Sequence, residues 1–402
     1  MKQNVYISYG EASLRIRYAT EQDGKAVKKA IVYTQDEHGI RFSAVDPKAV
    51  YIVECLQSSG YETYIVGGAV RDLILGKSPK DFDIVSAASP GRIKKLFHQA
   101  RIIGQRFRLV HVRFGSQVFE VSTFRSLRDG LTSNTFGTIE EDVLRRDFTL
   151  NALFYDPLKQ LVVDYVGGIP DIRKKRIRPI IPLATIFSDD PVRMIRALKY
   201  AATTGFTLPL SLKWKIKRQA PLLAGISPSR LTEEVFKIIH SSSAMQIIEK
   251  LLNFGVYEFL QPNADHLMKE RPAFRIRYLD SLKRISYEGF KGAPGEALAA
   301  LLADYLEEIT QWDGEILDQY KNAFMAARRF ILPINPPRVE LDHAIRRIFK
   351  AHGITIKKPH FSEWGRRSFP GALNPGDSQL PSGDPPPQRP RRHARKRESP
   401  AE

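Results

Sequence analysis

The richest chemistry in the sequence lies in Val66–Val85, VGGAVRDLILGKSPKDFDIV. Gly67-Gly68 follows a short apolar run and precedes a helix-like segment. Without a Cβ in the way, backbone N–H groups approach a phosphate closely, and the partial positive charge of a helix start favours the same anion. Arg71, on the first turn of that helix, adds a guanidinium for charge-assisted bonds to phosphate oxygens. Asp81 and Asp83 flank Phe82; on a strand they share one face while the aromatic turns to the core. Two carboxylates so placed can hold one or two Mg2+ ions, which activate an attacking oxygen and neutralise a leaving pyrophosphate. Glu120, in Val118-Phe119-Glu120-Val121, is the candidate for a third carboxylate from a neighbouring strand.

Taken singly, a Gly-Gly pair is a turn and an Asp-x-Asp a solvated strand end. Their order, with 13 residues from Gly68 to Asp81, gives the combination its weight. Gly76-Lys77-Ser78 has the ending of a phosphate-binding P-loop, but that pattern needs a glycine five positions before Gly76, where the chain has Arg71. The P-loop is therefore excluded.

A second group lies at Asp190–Arg196. Asp190-Pro191 reads as a helix start, which places Arg193 and Arg196 on one face and Asp190 one turn before Arg193. A carboxylate accepts a hydrogen bond and a guanidinium donates one, so Asp190 with Arg193 complements the amine-beside-acceptor edge of adenine. Guanine and uracil present the reverse and leave buried groups unpaired, at about 1–3 kcal/mol each. Cytosine shows the same edge as adenine, so this pair does not separate the two.

These groups need a scaffold. Asp46-Pro47 predicts a helix from Pro47 to Ser59, Tyr61–Val66 a strand, Ala69–Leu75 a short helix, Phe82–Val85 a second strand and Pro90–Gln99 another helix. Arg108–Phe114 and Val118–Phe124 alternate around Gly115-Ser116, a hairpin. Beyond Ile180, helical spacing dominates at Pro191–Thr203, Pro228–His240, Ala244–Phe254, Glu296–Glu308 and Ile316–Arg329. The mixture predicts an α+β head followed by helical regions. The expected divisions are an extension of unassigned role at 1–45, the head at 46–180, helical regions at 181–265 and 266–360, and a tail at 361–402. Pro370–Pro390 holds seven Pro and three Gly in 21 residues, too many for a packed core.

Lys plus Arg (62) exceeds Asp plus Glu (44), a net charge of +18 that points to a polyanionic partner, nucleic acid first. The basic tail does not account for it: Arg389–Glu402 carries +4, leaving +14 elsewhere. Between Asp83 and Glu120 there is no acidic residue but seven basic ones, Arg92, Lys94, Lys95, Arg101, Arg106, Arg108 and Arg113. A second basic run is Arg173-Lys174-Lys175-Arg176-Ile177-Arg178. One cysteine, Cys55, excludes a disulfide framework within the chain or a cysteine zinc site. No apolar run approaches membrane-helix length and the start lacks a secretory pattern, so a cytoplasmic setting without a membrane is expected.

With these motifs in order, Val66–Val85 resembles the class II nucleotidyltransferases, the family of bacterial poly(A) polymerases and tRNA CCA-adding enzymes. Arg145–Ala152 (RRDFTLNA) is similar to the family's second motif, and Ser188–Arg196 (SDDPVRMIR) to its base-recognition motif, with Asp189 where Glu is usual. The resemblance covers about residues 45–265. It implies a nucleotidyltransferase palm of mixed sheet and helices, followed by all-α neck and body domains. It implies that Asp81 and Asp83 bind metal, that Asp147 joins the catalytic carboxylates or positions ribose or Arg146, and that Arg146 contacts triphosphate or ribose. Without it, RRDFTLNA reads as a helix with an apolar face.

The implied reaction is template-independent addition of AMP from ATP to RNA 3′ ends, with Mg2+ as cofactor and pyrophosphate leaving. Gly67, Gly68, Arg71 and Arg146 would hold the triphosphate; Asp190, Arg193 and Arg196 would read adenine. The stretch Ile102–Val112, with Gln105 departing from the usual basic residue, resembles a signature of the poly(A) branch, as does the basic tail. The alternatives are a tRNA CCA- or A-adding enzyme and, in another class, a non-catalytic RNA-binding protein.

Overall fold

The computed structural model describes residues 5–9, 15–20, 26–104, 109–126, 136–287 and 294–356. Gln105–Arg108 of the 102–112 stretch, residues 127–135 and the basic tail lie outside these.

Among the described residues there are ten strands: β1 (Val5–Tyr9), β2 (Arg15–Thr20), β3 (Ala26–Tyr33), β4 (Thr63–Val66), β5 (Asp83–Ser86), β6 (Ala100–Ile103), β7 (Leu109–Phe114), β8 (Gln117–Thr123), β9 (Leu153–Asp156) and β10 (Leu161–Asp164). They form one sheet in the order β1-β2-β3-β10-β9-β4-β5-β8-β7-β6, antiparallel throughout except for the β5–β8 pair. The helices of this region are α1 (Gln35–His38), α2 (Pro47–Ser58), α3 (Gly68–Ile74), α4 (Pro90–Leu96), α5 (Ile139–Arg145) and α6 (Gly168–Arg173). The part of the chain with no assigned role, residues 1–45, supplies β1–β3, which extend the sheet by pairing β3 to β10.

Local rules set several of these elements. Asp46 caps α2 by accepting from Lys48 N at 2.8 Å, with Pro47 at the first helical position. Thr138 and Glu141 close a capping box on α5. Asp164, 2% exposed, accepts the backbone amides of Val166, Gly167, Gly168 and Ile169, and so fixes the start of α6. Val66, Val85, Phe154 and Val163 of four adjacent strands pack with Ile139 and Val143 of α5 in one core cluster.

The helical part comprises α7 (Ile186–Asp189), α8 (Val192–Thr204), α9 (Leu210–Gln219), α10 (Pro228–Ile239), α11 (Ala244–Asn253), α12 (Pro262–Glu270), α13 (Pro272–Tyr287), α14 (Pro294–Ile309), α15 (Ile316–Phe330) and α16 (Arg338–Ala351). Lys77 Nζ donates to the Thr203 carbonyl and Lys80 Nζ to the His240 carbonyl, both at 3.0 Å, so the loop before β5 is tied to the ends of α8 and α10. Among the described residues no helix is long and apolar enough to cross a membrane.

Candidate active site

β4 delivers the chain to Gly67 and runs antiparallel to both β5 and β9. Val66 therefore pairs with Asp83 and with Phe154, and Gly67, Asp83 and the start of β9 meet at one end of the sheet. Gly67 takes φ 74° and ψ −134°, a conformation that L side chains rarely adopt. A Cβ there would stand 3.7 Å from Asp83 Oδ2 and 3.8 Å from Arg146 Nη1, in the gap between anion and cation. The strand starts at Asp83, so Asp81 sits on the loop before it and both are exposed.

The carboxylates of this cleft of about 960 Å³ fall into two classes. Asp72 pairs with Arg71 (2.9 Å), Asp147 with Arg196 (2.6 Å), Asp190 with Arg230 (2.6 Å) and Glu234 with Lys237 (3.0 Å). Asp81 and Asp83 have no Lys or Arg partner within 4 Å among the described residues, although basic side chains outnumber acidic ones along the walls. Protein packed around the Asp83 carboxylate strips water from it, although the residue opens to the cleft. This desolvation, then Glu120, then Asp81 push it up to about 6 against the pull of Arg146.

The third carboxylate is placed differently. Glu120 is exposed, with Oε1 3.5 Å from His111 Nε2 across the β7–β8 pair. Among the described residues no group of three or more His, Cys, Asp or Glu is assembled at metal-binding spacing. A cation here would rest on Asp81 and Asp83 with substrate oxygens completing its shell, as suits Mg2+.

RRDFTLNA is not a helix. α5 ends at Arg145, Arg146 is extended (φ −69°, ψ 152°), and a 3-10 turn spans Thr149–Asn151. Neighbours on extended backbone face opposite ways, and Arg146 and Asp147 diverge accordingly. Arg146 lies across the mouth of Gly67, with Nε and Nη2 donating to Asp142 Oδ2 at 3.2 and 3.0 Å and Nη1 to the Asn151 carbonyl at 3.0 Å. Asp147, 6% exposed, accepts from Phe148 N and from Arg196 Nε at 2.8 and 2.6 Å. It anchors Arg196 and does not join the Asp81–Asp83 edge.

Asp190, Arg193 and Arg196, the residues expected to read adenine, also line the cleft. Asp190 Oδ1 accepts from Val192 N at 3.2 Å, and its Oδ2 accepts from Arg230 of α10 instead of Arg193. Arg193 is 8% exposed and donates Nη1 to the Ile186 carbonyl at 3.1 Å. Burial lowers its pKa, opposed by Asp190 and Asp147. Arg196 stands by Tyr200, whose ring also lies under Arg71 and Lys199.

Sequence reasoning missed several contributors. Asn151 Oδ1 takes Arg71 Nη1 at 2.8 Å while its carbonyl takes Arg146, so one residue fixes both guanidiniums. Asp142 is four residues before Arg146 and was readable as a helical pair. Glu234 was likewise readable as a helical pair with Lys237, three residues on, whereas Arg230 carries no local signal toward Asp190.

Residues 63–178 match the family described as the poly A polymerase head domain, and residues 205–268 match the probable RNA and SrmB-binding site of polymerase A. These matches, with the relatives below, support the class II nucleotidyltransferase family, bacterial poly(A) polymerase branch. The chain is 38% identical over 255 residues to poly(A) polymerase I of Salmonella typhi, covering 60% of the chain and 55% of that relative. It is 32% identical over 244 residues to a CCA-adding enzyme of Bacillus pumilus, 59% of the chain and 61% of the relative. The chain thus spans little more than half the length of these curated relatives. The crystal structure of the Bacillus stearothermophilus CCA-adding enzyme in complex with CTP aligns with TM-score 0.53 and 26% identity, over 81% of this chain and 90% of that one.

Proposed function

We propose that this nucleotidyltransferase polyadenylates RNA without a template: the 3′-hydroxyl attacks the α-phosphorus of ATP in line and pyrophosphate leaves. The observation that carries the reading is the pair Asp81 and Asp83, left without a cationic partner at the Gly67 turn inside a basic cleft. Hard oxygen donors with uncompensated charge fit Mg2+, which supplies charge neutralisation at the reacting phosphate and lowers the pKa of the attacking hydroxyl. Gly67 and Gly68 leave room for the triphosphate, and Arg71 and Arg146 orient it. Arg196, fixed by Asp147, closes the same wall. Arg193 donates to the base, and Asp190 accepts from its amine beside Arg230.

The head (46–180) would carry the chemistry, the neck (181–265) the base and RNA contacts, and the body (266–360) further support. RNA 3′ ends and ATP are the partners, and a reducing cytoplasm suits the single cysteine. Adenine and cytosine share a pairing edge, so CCA addition is the second reading, favoured by the likeness to CCA-adding relatives. The higher identity to poly(A) polymerase I supports the first.

The test is nucleotide addition by purified protein to a generic RNA primer and to a tRNA lacking its end, with ATP and CTP supplied separately. ATP incorporation on the generic primer is expected, lost with EDTA and in Asp83→Ala while RNA binding persists. Efficient CTP incorporation on the tRNA overturns the poly(A) reading, and unchanged addition by Asp83→Ala removes the metal assignment.

A further inference from the structure

On the reading that Asp81 and Asp83 hold the metal, we propose that Lys80, assisted by Lys77, is a positioning residue: its bond to the end of α10 fixes the loop that carries Asp81. Asp83 is placed by the sheet, because it pairs with Val66 across the β4–β5 ladder. Asp81 lies two residues ahead of that ladder and is exposed. Lys77 N donates to the Asp72 carbonyl at 2.8 Å, which ties the start of the loop to α3. Among the described residues, no backbone hydrogen bond then engages Ser78–Asp81. The side-chain hydrogen bonds of 77–81 are those of the two lysines, Lys77 Nζ to the Thr203 carbonyl and Lys80 Nζ to the His240 carbonyl, both at 3.0 Å. The placement of Asp81 therefore depends on anchors in the helical part of the chain, and Lys80 is its immediate neighbour.

The acceptors suit this task. The last carbonyls of a helix have no partner within it and carry the negative end of its dipole, so an ammonium is a fitting donor to them. The same two helices begin at the candidate base contacts. α8 starts beside Asp190 and carries Arg193 and Arg196, and Arg230, in the first turn of α10, bonds to Asp190. With 13 and 12 residues, α8 and α10 each run about 18–20 Å. A nucleotide must reach the base contacts and the metal at once. Pinning the Asp81 loop to the far ends of the helices that carry the base contacts sets the distance between the two places, where a misplacement of about 1 Å costs roughly 100-fold in rate.

Lys80 lines the cleft, so a direct contact with the triphosphate is the competing role. The geometry points to positioning: the Lys80 ammonium is drawn to the end of α10, whereas Arg71 and Arg146 are the cations beside Gly67 and Gly68. The two roles part in the assay. A phosphate contact acts on nucleotide affinity with or without metal; a positioning residue acts on the metal and on the rate.

The experiment compares the full-length wild type with Lys80→Met, Lys80→Arg and the double variant Lys77→Met with Lys80→Met, each checked by thermal unfolding. Three quantities are measured: kcat for ATP addition, affinity for Mn2+ alone from the loss of its free EPR signal, and affinity in EDTA for an ATP analogue with a methylene group between the α and β phosphates. Lys80→Met should lower kcat and Mn2+ affinity, each roughly tenfold or more, and the double variant should lower them further. Lys80→Arg, which can still donate to the His240 carbonyl, should restore most of both. Affinity for the analogue in EDTA should be unchanged throughout. Wild-type kcat and Mn2+ affinity in the double variant overturn the proposal. So does a loss of analogue affinity in EDTA for Lys80→Met, which would make Lys80 a phosphate contact. If wild type binds no Mn2+ that Asp81→Ala removes, the metal reading falls and this proposal with it. If wild type adds no nucleotide but its Mn2+ affinity depends on Lys80, the proposed activity falls and the positioning role stands.

Discussion

Gly67→Ala separates the cost of an unusual backbone from the cost of filling the space beside the proposed phosphate site. At φ 74° and ψ −134° a side chain is strained, by about 1–3 kcal/mol. The new Cβ would stand 3.7 Å from Asp83 Oδ2 and 3.8 Å from Arg146 Nη1, ordinary contact distances, so no clash adds to that strain. The methyl would nevertheless sit between the carboxylate and the guanidinium, where the proposed reaction brings a phosphate oxygen close to backbone. Losing one preorganised contact of this kind costs roughly 10²–10³ in rate, and kcat/KM for ATP addition should fall by that factor. Gly76→Ala is the matched control. Gly76 also has positive φ (68°) but nothing within 4 Å of its Cβ position, and it does not line the cleft. Both variants should unfold at lower urea concentration, and only Gly67→Ala should lose activity. If Gly67→Ala adds nucleotides as fast as Gly76→Ala, the phosphate does not lie where the Gly67 turn was argued to hold it.

Asp142→Ala removes both bonds that hold Arg146 by its Nε and Nη2. With charge-assisted bonds worth about 1.5–3 kcal/mol, KM for ATP should rise roughly tenfold or more while RNA affinity holds, as steady-state kinetics and RNA titration would show. Glu234 has a pKa lowered from 4.5: burial pushes it up, but Lys199 and Lys237 outweigh that. A depressed carboxylate pKa contributes stability above 4.5 that is lost as pH falls through the folded value. Urea midpoints of Glu234→Gln should therefore vary less than those of wild type below pH 4.5, and parallel curves would contradict the assignment.

The parts of the site legible in the sequence are those whose signals are local. A Gly-Gly pair after an apolar run and an Asp-x-Asp beyond it announced the turn and its carboxylates. Asp46-Pro47 and Asp190-Pro191 marked helix starts close to where α2 and α8 begin. What was missed depended on partners far along the chain: Arg71 with Asn151, Asp147 with Arg196, Asp190 with Arg230. β9 is buried at all four positions and β10 at three of its four, so neither alternates and period-two reading passes over them. RRDFTLNA misleads for another reason. Its apolar spacing suits a helix, but the extended Arg146 breaks the helix and sends two adjacent charges to different partners.

That divergence bears on which acidic groups do chemistry. A count of carboxylates in the cleft treats Asp147, Asp190 and Glu234 as equals of Asp81 and Asp83, yet each of the first three has a cation within 3.0 Å. A paired carboxylate has its charge met and its orientation fixed, which suits it to hold Arg196 or to face a base. The other pair stands beside a glycine turn with Glu120 close enough to raise the Asp83 pKa further. Leaving like charges together is unfavourable in a folded chain unless something arrives to neutralise them. In a protein with 62 lysines and arginines, a neighbour of that kind was readily available within the chain. The arrangement makes sense if the neutralising charge comes with the substrate, because a resident arginine at that spot would compete with the metal and displace the phosphate it carries.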